Sequence, residues 1–192
     1  MNAIKTLLAG AALAVSAVGA NAATFYADKV VDSSLGTCTV CDANRQNPNA
    51  ALGASDNKFY SLGFGGTLTV GFSRPVFQAN SSVTVFEITY RRDIGHDEAV
   101  DVYSVLGGVE TYLGQLLNNV ASSSVLATTA FEYIKLVDVT KTVFPGNHPT
   151  RSGDGFDVDS VSVAAVPLPA AGLLLLGGLG GLAALRRRKK LA

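Results

Sequence analysis

The sequence predicts an all-β fold, an antiparallel β-sandwich or jelly roll, carried between two apolar ends. Three observations predict it. Short runs with a period of two recur along the body and are rich in Val, Thr, Tyr and Phe, which suit a pleated, half-buried surface. Clusters of Gly, Asn, Asp and Pro separate these runs at 44–49, 63–66, 93–97, 107–108 and 145–154. Outside the two ends, no long window carries a 3.6-residue period.

The amino end, residues 1–22 of 192, has the three parts of a secretory signal. Lys5 gives a positive start, residues 6–18 form a short apolar core, and Ala20, Asn21 and Ala22 form a small-x-small cleavage site. The apolar core is shorter than the roughly 20 residues a membrane span needs. Signal peptidase is therefore the expected partner, and the mature chain is expected to begin at Ala23. Export also implies an oxidising compartment.

Residues 23–165 form the body. In 66–72, Leu68, Val70 and Phe72 alternate with Thr67, Thr69 and Gly71. In 82–90, Thr84, Phe86, Ile88 and Tyr90 share one face, and Val83, Val85, Glu87 and Thr89 share the other. Residues 99–105, 131–139 and 156–163 behave alike, while 113–121 could form a short helical turn after a stretch, 109–113, that reads as a strand. About eight strands joined by polar turns give a sandwich. The body holds nine Lys and Arg against fifteen Asp and Glu, a net charge of −6. That charge repels phosphates and excludes nucleic-acid binding.

The carboxyl end, 166–192, is the third segment. Val166, Pro167, Leu168, Pro169 and Ala170 precede a Leu/Gly/Ala run over 171–185, and the basic cluster Arg186, Arg187, Arg188, Lys189 and Lys190 follows at once. A helix over 170–185 would be roughly 24 Å long, enough for a membrane span once flanking residues and snorkelling cations contribute. Pro169 suits a helix start, and Gly177 and Gly181 form a GxxxG pair. The positive cluster should stay cytoplasmic, with the body outside.

This arrangement resembles the PEP-CTERM class of protein-sorting tails, and the string Val166 to Ala170 resembles its VPLPA variant. Leu168 stands where the PEP form has Glu. The resemblance covers 166–192. It implies recognition by an exosortase-type membrane protease, cleavage near the motif, and delivery to the cell surface or extracellular matrix. Residues 50–72 are similar to a segment of surface β-sandwich domains that carry such tails, and 155–163 is similar to the last strand of jelly-roll binding domains.

Several side chains are candidates for chemistry. Cys38 and Cys41, three apart in an exported chain, read first as a local disulfide. A redox site would need a helix after the first Cys, and the loop composition of 42–48 opposes one. Zinc would need further ligands, and only His96 and His148 exist. Asp154, Asp157 and Asp159 offer the hard oxygens that Ca²⁺ selects. The jelly-roll resemblance suggests Asp56 as a fourth partner for a structural Ca²⁺; otherwise the cluster is a solvated strand end. No other cofactor is required.

Glu87 reads as a cleft residue or, in preference, as part of a solvated sheet face. Glu98, Glu110 and Glu132 add acids without fixing the pair that glycoside hydrolysis needs. The motifs GxSxG and HExxH are missing, and Gly63–Gly66 are turn formers rather than a phosphate loop. Tyr60, Tyr90, Tyr103, Tyr112 and Tyr133 could stack on sugar rings. The sequence therefore favours a non-catalytic surface or matrix protein, with a carbohydrate-binding module as the alternative and a small surface hydrolase third.

Overall fold

The computed structural model describes residues 22–89, 95–145 and 153–166. Met1 to Asn21 of the signal segment, the sorting tail from Pro167 onward, Tyr90 and His148 lie outside them. Among the described residues, no helix is long and apolar enough to cross a membrane.

The described chain is nearly all antiparallel β. Its strands are β1 (Thr24–Tyr26), β2 (Lys29–Ser34), β3 (Tyr60–Ser61), β4 (Thr67–Gly71), β5 (Ser82–Glu87), β6 (Ala99–Leu106), β7 (Val109–Leu117), β8 (Ser122–Leu126), β9 (Tyr133–Asp138) and β10 (Asp157–Ala164). A 3₁₀ turn spans Pro48–Ala51, and the single-turn helix α1 spans Thr140–Val143. One sheet runs β1-β10-β5-β8, with β3 also paired to β10; the other runs β2-β4-β9-β6-β7. The 113–121 stretch is strand through Leu117, with no helical turn.

The core forms where the alternating apolar sets of the two sheets meet. Val83, Val85, Val161 and Val163 come from one sheet, and Leu68, Val70, Val100, Val102, Ile134 and Leu136 from the other. Phe77 packs on Phe131 with ring centroids 5.1 Å apart and is met edge-on by Phe72. Close packing of such side chains is the main term holding a sandwich together.

β10 sets the geometry of the site. Its pairing with β5 matches Val158 to Glu87 and Ser160 to Phe86, so Asp159 is an extra residue at a bulge. Thr24 pairs with Ala164 at the far end of β10, and Ala165 N–H donates to Ala23. Both ends of the described sandwich therefore emerge together. Asp157 lies seven residues away along the same strand, about 23 Å at strand rise.

Candidate functional site

At the Asp157 end, three connections converge: the long β2–β3 connection, the residues after β5, and the segment leading into β10. They enclose a cavity of about 500 Å³ lined by Val40, Arg45, Phe59, Ile88, Thr89, His96, Glu98, Gly153, Asp154 and Asp157. That size suits a small ligand.

The β2–β3 connection is held at several points. Cys38 and Cys41 form a disulfide with Cα atoms 5.8 Å apart. The next residue, Asp42, accepts the N–H groups of Asn44 and Arg45 at 3.0 and 3.2 Å. Asn47 caps the 3₁₀ turn. Two longer-range bonds seat the loop: Thr39 N–H donates to the Gly153 carbonyl at 2.8 Å, and Ser61 N–H donates to the Arg45 carbonyl at 2.9 Å. This side of the cavity is therefore tied both to β3 and to the segment preceding β10.

Arg45 stands between the polar and aromatic walls. Its Nη1 donates to Asp154 Oδ2 at 2.5 Å, and its guanidinium carbon lies 5.3 Å from the centre of the Phe59 ring. Guanidinium over an aromatic face is a favourable cation–π arrangement.

Asp157 is buried and accepts the Ser61 hydroxyl at 2.5 Å. Burial pushes its carboxyl up to about 8, and the charges of Asp154 and Glu87 add to the rise, against the opposing pull of Ser61 and Arg45. At neutral pH it is therefore mostly protonated and can donate as well as accept. Glu87 is 2% exposed on the inward face of β5, not on a solvated sheet face, and Thr89 donates its hydroxyl to it. Glu98 N–H donates to Asn118 Oδ1 at 2.9 Å, while Asn118 Nδ2 donates to Glu98 Oε2 and to the His96 carbonyl. Asn118 thus braces the wall that carries His96 and Glu98.

A backbone crossing positions the β10 side. Gly155 has φ of +69°, and a Cβ there would stand 2.7 Å from Asp138 Oδ2 and 2.9 Å from the Gly63 carbonyl carbon. Asp138 accepts the N–H groups of Gly65 and Phe156 and the Thr140 hydroxyl. Burial raises its carboxyl above the ordinary range in spite of those donors.

The four aspartates considered for calcium have separate partners. Asp154 pairs with Arg45, and Asp157 with Ser61. Asp56 pairs with Lys58 at 2.7 Å. Asp159 accepts the Ser55 hydroxyl and the N–H groups of Asp56 and Asn57. Asp154, Asp157 and Asp159 are buried, so they are not a solvated strand end. Among the described residues, no group of three His, Cys, Asp or Glu is assembled to hold a metal ion.

Among the described residues, no tyrosine lines the cavity. Tyr60 is 2% exposed, so it belongs to the core. Tyr103 and Tyr112 pack edge to face on each other in the β6–β7 pair, away from the cavity. The aromatic ring of the site is Phe59. Arg45, Phe59, Ser61 and Asn118 are site residues that sequence reasoning misses. The available signal for Arg45 is its position as the lone cation between the Cys pair and an Asn-rich turn.

No family model matches the chain, and no curated protein matches it. Among solved structures, the C-terminal domain of a chitobiase from Bacteroides fragilis aligns with a TM-score of 0.50 at 12% identity, over 73% of this chain and 94% of that one. The family 32 carbohydrate-binding module of C. perfringens NanJ, in complex with galactose, aligns at 0.46 and 13% identity, over 73% and 98%. Truncated AlyQ, with CBM32 and alginate lyase domains, aligns at 0.49 and 14% identity, over 78% of this chain but only 35% of that one. The chain has the antiparallel sandwich fold of that chitobiase domain.

Proposed function

We propose that the chain is an exported carbohydrate-binding module whose end pocket takes a sugar of an extracellular polysaccharide. The observation that carries this reading is the lining of the cavity. A pyranose presents apolar C–H faces and an edge dense in hydroxyls. Phe59, Ile88 and Val40 supply the apolar wall, and Arg45, Glu98, Asp154 and Asp157 supply side chains able to engage neighbouring hydroxyls two at a time. The tethered loop supports the same reading, because a preformed wall loses little entropy on binding. The acidic lining, in a body of net charge −6, favours neutral glycans over uronates.

The test is a glycan array followed by calorimetry on the purified protein. Saturable binding of a neutral glycan, lost in Arg45→Ala and Phe59→Ala, is expected. Failure of every glycan to bind would overturn the proposal.

Export and sorting belong to the same proposal and rest on the motifs of 1–22 and 166–192. Signal peptidase would release the chain at Ala23, an exosortase-type protease would act near 166–170, and the sandwich would reach the cell surface or matrix. Intact mass of surface material tests this: a species beginning at Ala23 and lacking Arg186 to Lys190 is expected.

The module is non-catalytic on this reading. One observation favours a hydrolase instead: Asp157, whose carboxyl burial raises to about 8, lines the cavity together with a second acid, Glu98, and a raised carboxyl suits a general acid. Product analysis after prolonged incubation with the bound glycan separates the two.

A further inference from the structure

Next to the first cavity lies a second of about 490 Å³, lined by Asp42, Asn44, Asn47, Asn57 and Lys58 among others. Arg45 and Phe59 line both. The two spaces therefore share one wall, formed by the Arg45 guanidinium over the Phe59 ring. We infer that the second cavity is a further sugar subsite, so that the ligand is an oligosaccharide crossing the Arg45–Phe59 wall rather than a single terminal sugar. This inference rests on the carbohydrate-binding reading of the first cavity.

The chemistry of the two cavities differs in a way that suits one chain of sugars. The first is walled by carboxyl groups, a guanidinium and apolar side chains. The second sets three primary amides, each a donor and an acceptor, among Asp42, Arg45 and Lys58, and the amides match the mixed character of a neutral sugar's hydroxyls.

Its walls are also built in advance. On one side, Asp42 fixes the backbone of Asn44 and Arg45, and Asn47 Oδ1 accepts the Asn49 N–H at 3.1 Å. On the other, Asp159 holds residues 55–57 through the Ser55 hydroxyl and two backbone N–H groups. Asn57 adopts φ of +66° there, a conformation asparagine tolerates better than most residues. Asp159, the extra residue of the β10 bulge, thus acts as a positioning residue for the second cavity. A sugar entering it meets an ordered surface, so each added contact is retained as affinity rather than consumed in ordering the loop.

The experiment is calorimetry of the purified protein against ladders of one to five units of β-linked glucose, galactose and N-acetylglucosamine. For the sugar that binds, the second unit is expected to tighten binding by about 10-fold, equivalent to about 1.4 kcal/mol. The exposed double variant Asn44→Ala/Lys58→Ala is expected to remove that gain while leaving the affinity for the monosaccharide unchanged. Circular dichroism of the variant confirms that it folds. Monosaccharide binding with no gain on lengthening overturns the second subsite and leaves the first. Loss of monosaccharide and oligosaccharide binding in equal proportion in the folded variant likewise overturns it. Failure of every ladder, and of every glycan on the array, to bind overturns both readings.

Discussion

Arg45 and Asp154, 109 residues apart in sequence, meet at 2.5 Å and join the β2–β3 connection to the segment that leads into β10. The pair makes a pocket wall out of two segments that also meet where the Thr39 N–H and hydroxyl donate to the Gly153 carbonyl. The Asp154 side chain is 8% exposed and Arg45 is 37% exposed, so the carboxylate depends on the guanidinium more than the reverse.

Arg45→Ala is therefore expected to act twice. It leaves a buried carboxylate without its cation, at a cost of about 1–3 kcal/mol, and it removes part of the wall the cavities share. Arg45→Lys is expected to restore part of the stability but little of the glycan affinity, since an ammonium lacks the planar fork. Melting curves and calorimetry on both variants check this.

The pH dependence of stability should carry the signature of Asp157. Its carboxyl sits near 8 when folded and near 3.8 when unfolded. The stabilising contribution is thus fully present below about pH 4 and is lost as pH rises through 8. Asp138, raised in the same direction, adds to the trend. Thermal melts from pH 5 to 9 are expected to show a falling Tm, and Asp157→Asn, which keeps an acceptor for Ser61, should flatten it.

Reduction of the Cys38–Cys41 bond is expected to lower stability by up to about 2 kcal/mol, the loop-closure value for so short a ring. Its larger effect should be on binding, because the loop it constrains carries both the Asp42 turn and Arg45. Affinity measured with and without a mild reductant tests this; equal affinities would separate the disulfide from the pocket.

Asp159→Ala removes the acceptor for Ser55, Asp56 and Asn57. Hydrogen exchange over 54–58 is expected to accelerate while the strands stay protected, with a loss of about 1–3 kcal/mol overall. Because the four aspartates have separate partners, added Ca²⁺ is expected to leave the Tm of the wild-type protein unchanged. A calcium-dependent rise would mean that these carboxylates regroup around the ion.

The strands were legible because period two is a local property. Residues 82–87 alternate in sequence and alternate in burial, with Val83 and Val85 inward. That same alternation places Glu87 inward, yet a carboxylate on an apolar face reads as solvated until its surroundings are known. Asp159 was not legible for a related reason: a bulge adds one residue, and the rule that side chains two apart share a face does not carry across it. Tyr60 sits in a two-residue strand, too short for any period, so its burial follows only from pairing with β10. The pocket itself joins Val40, Arg45 and Phe59 to Ile88, Thr89, His96 and Glu98 and to Gly153, Asp154 and Asp157, and such convergence is a property of sheet order rather than of any window of sequence.

The most direct test of the central claim is a heteronuclear NMR titration of the protein with the glycan it binds. Shifts concentrated at residues 38–45, 57–61, 88–89, 96–98 and 153–157 are expected, with the 106–109 turn at the other end of the sandwich unchanged. Saturable shifts confined to that other end, or to the Tyr103–Tyr112 face, would contradict the account.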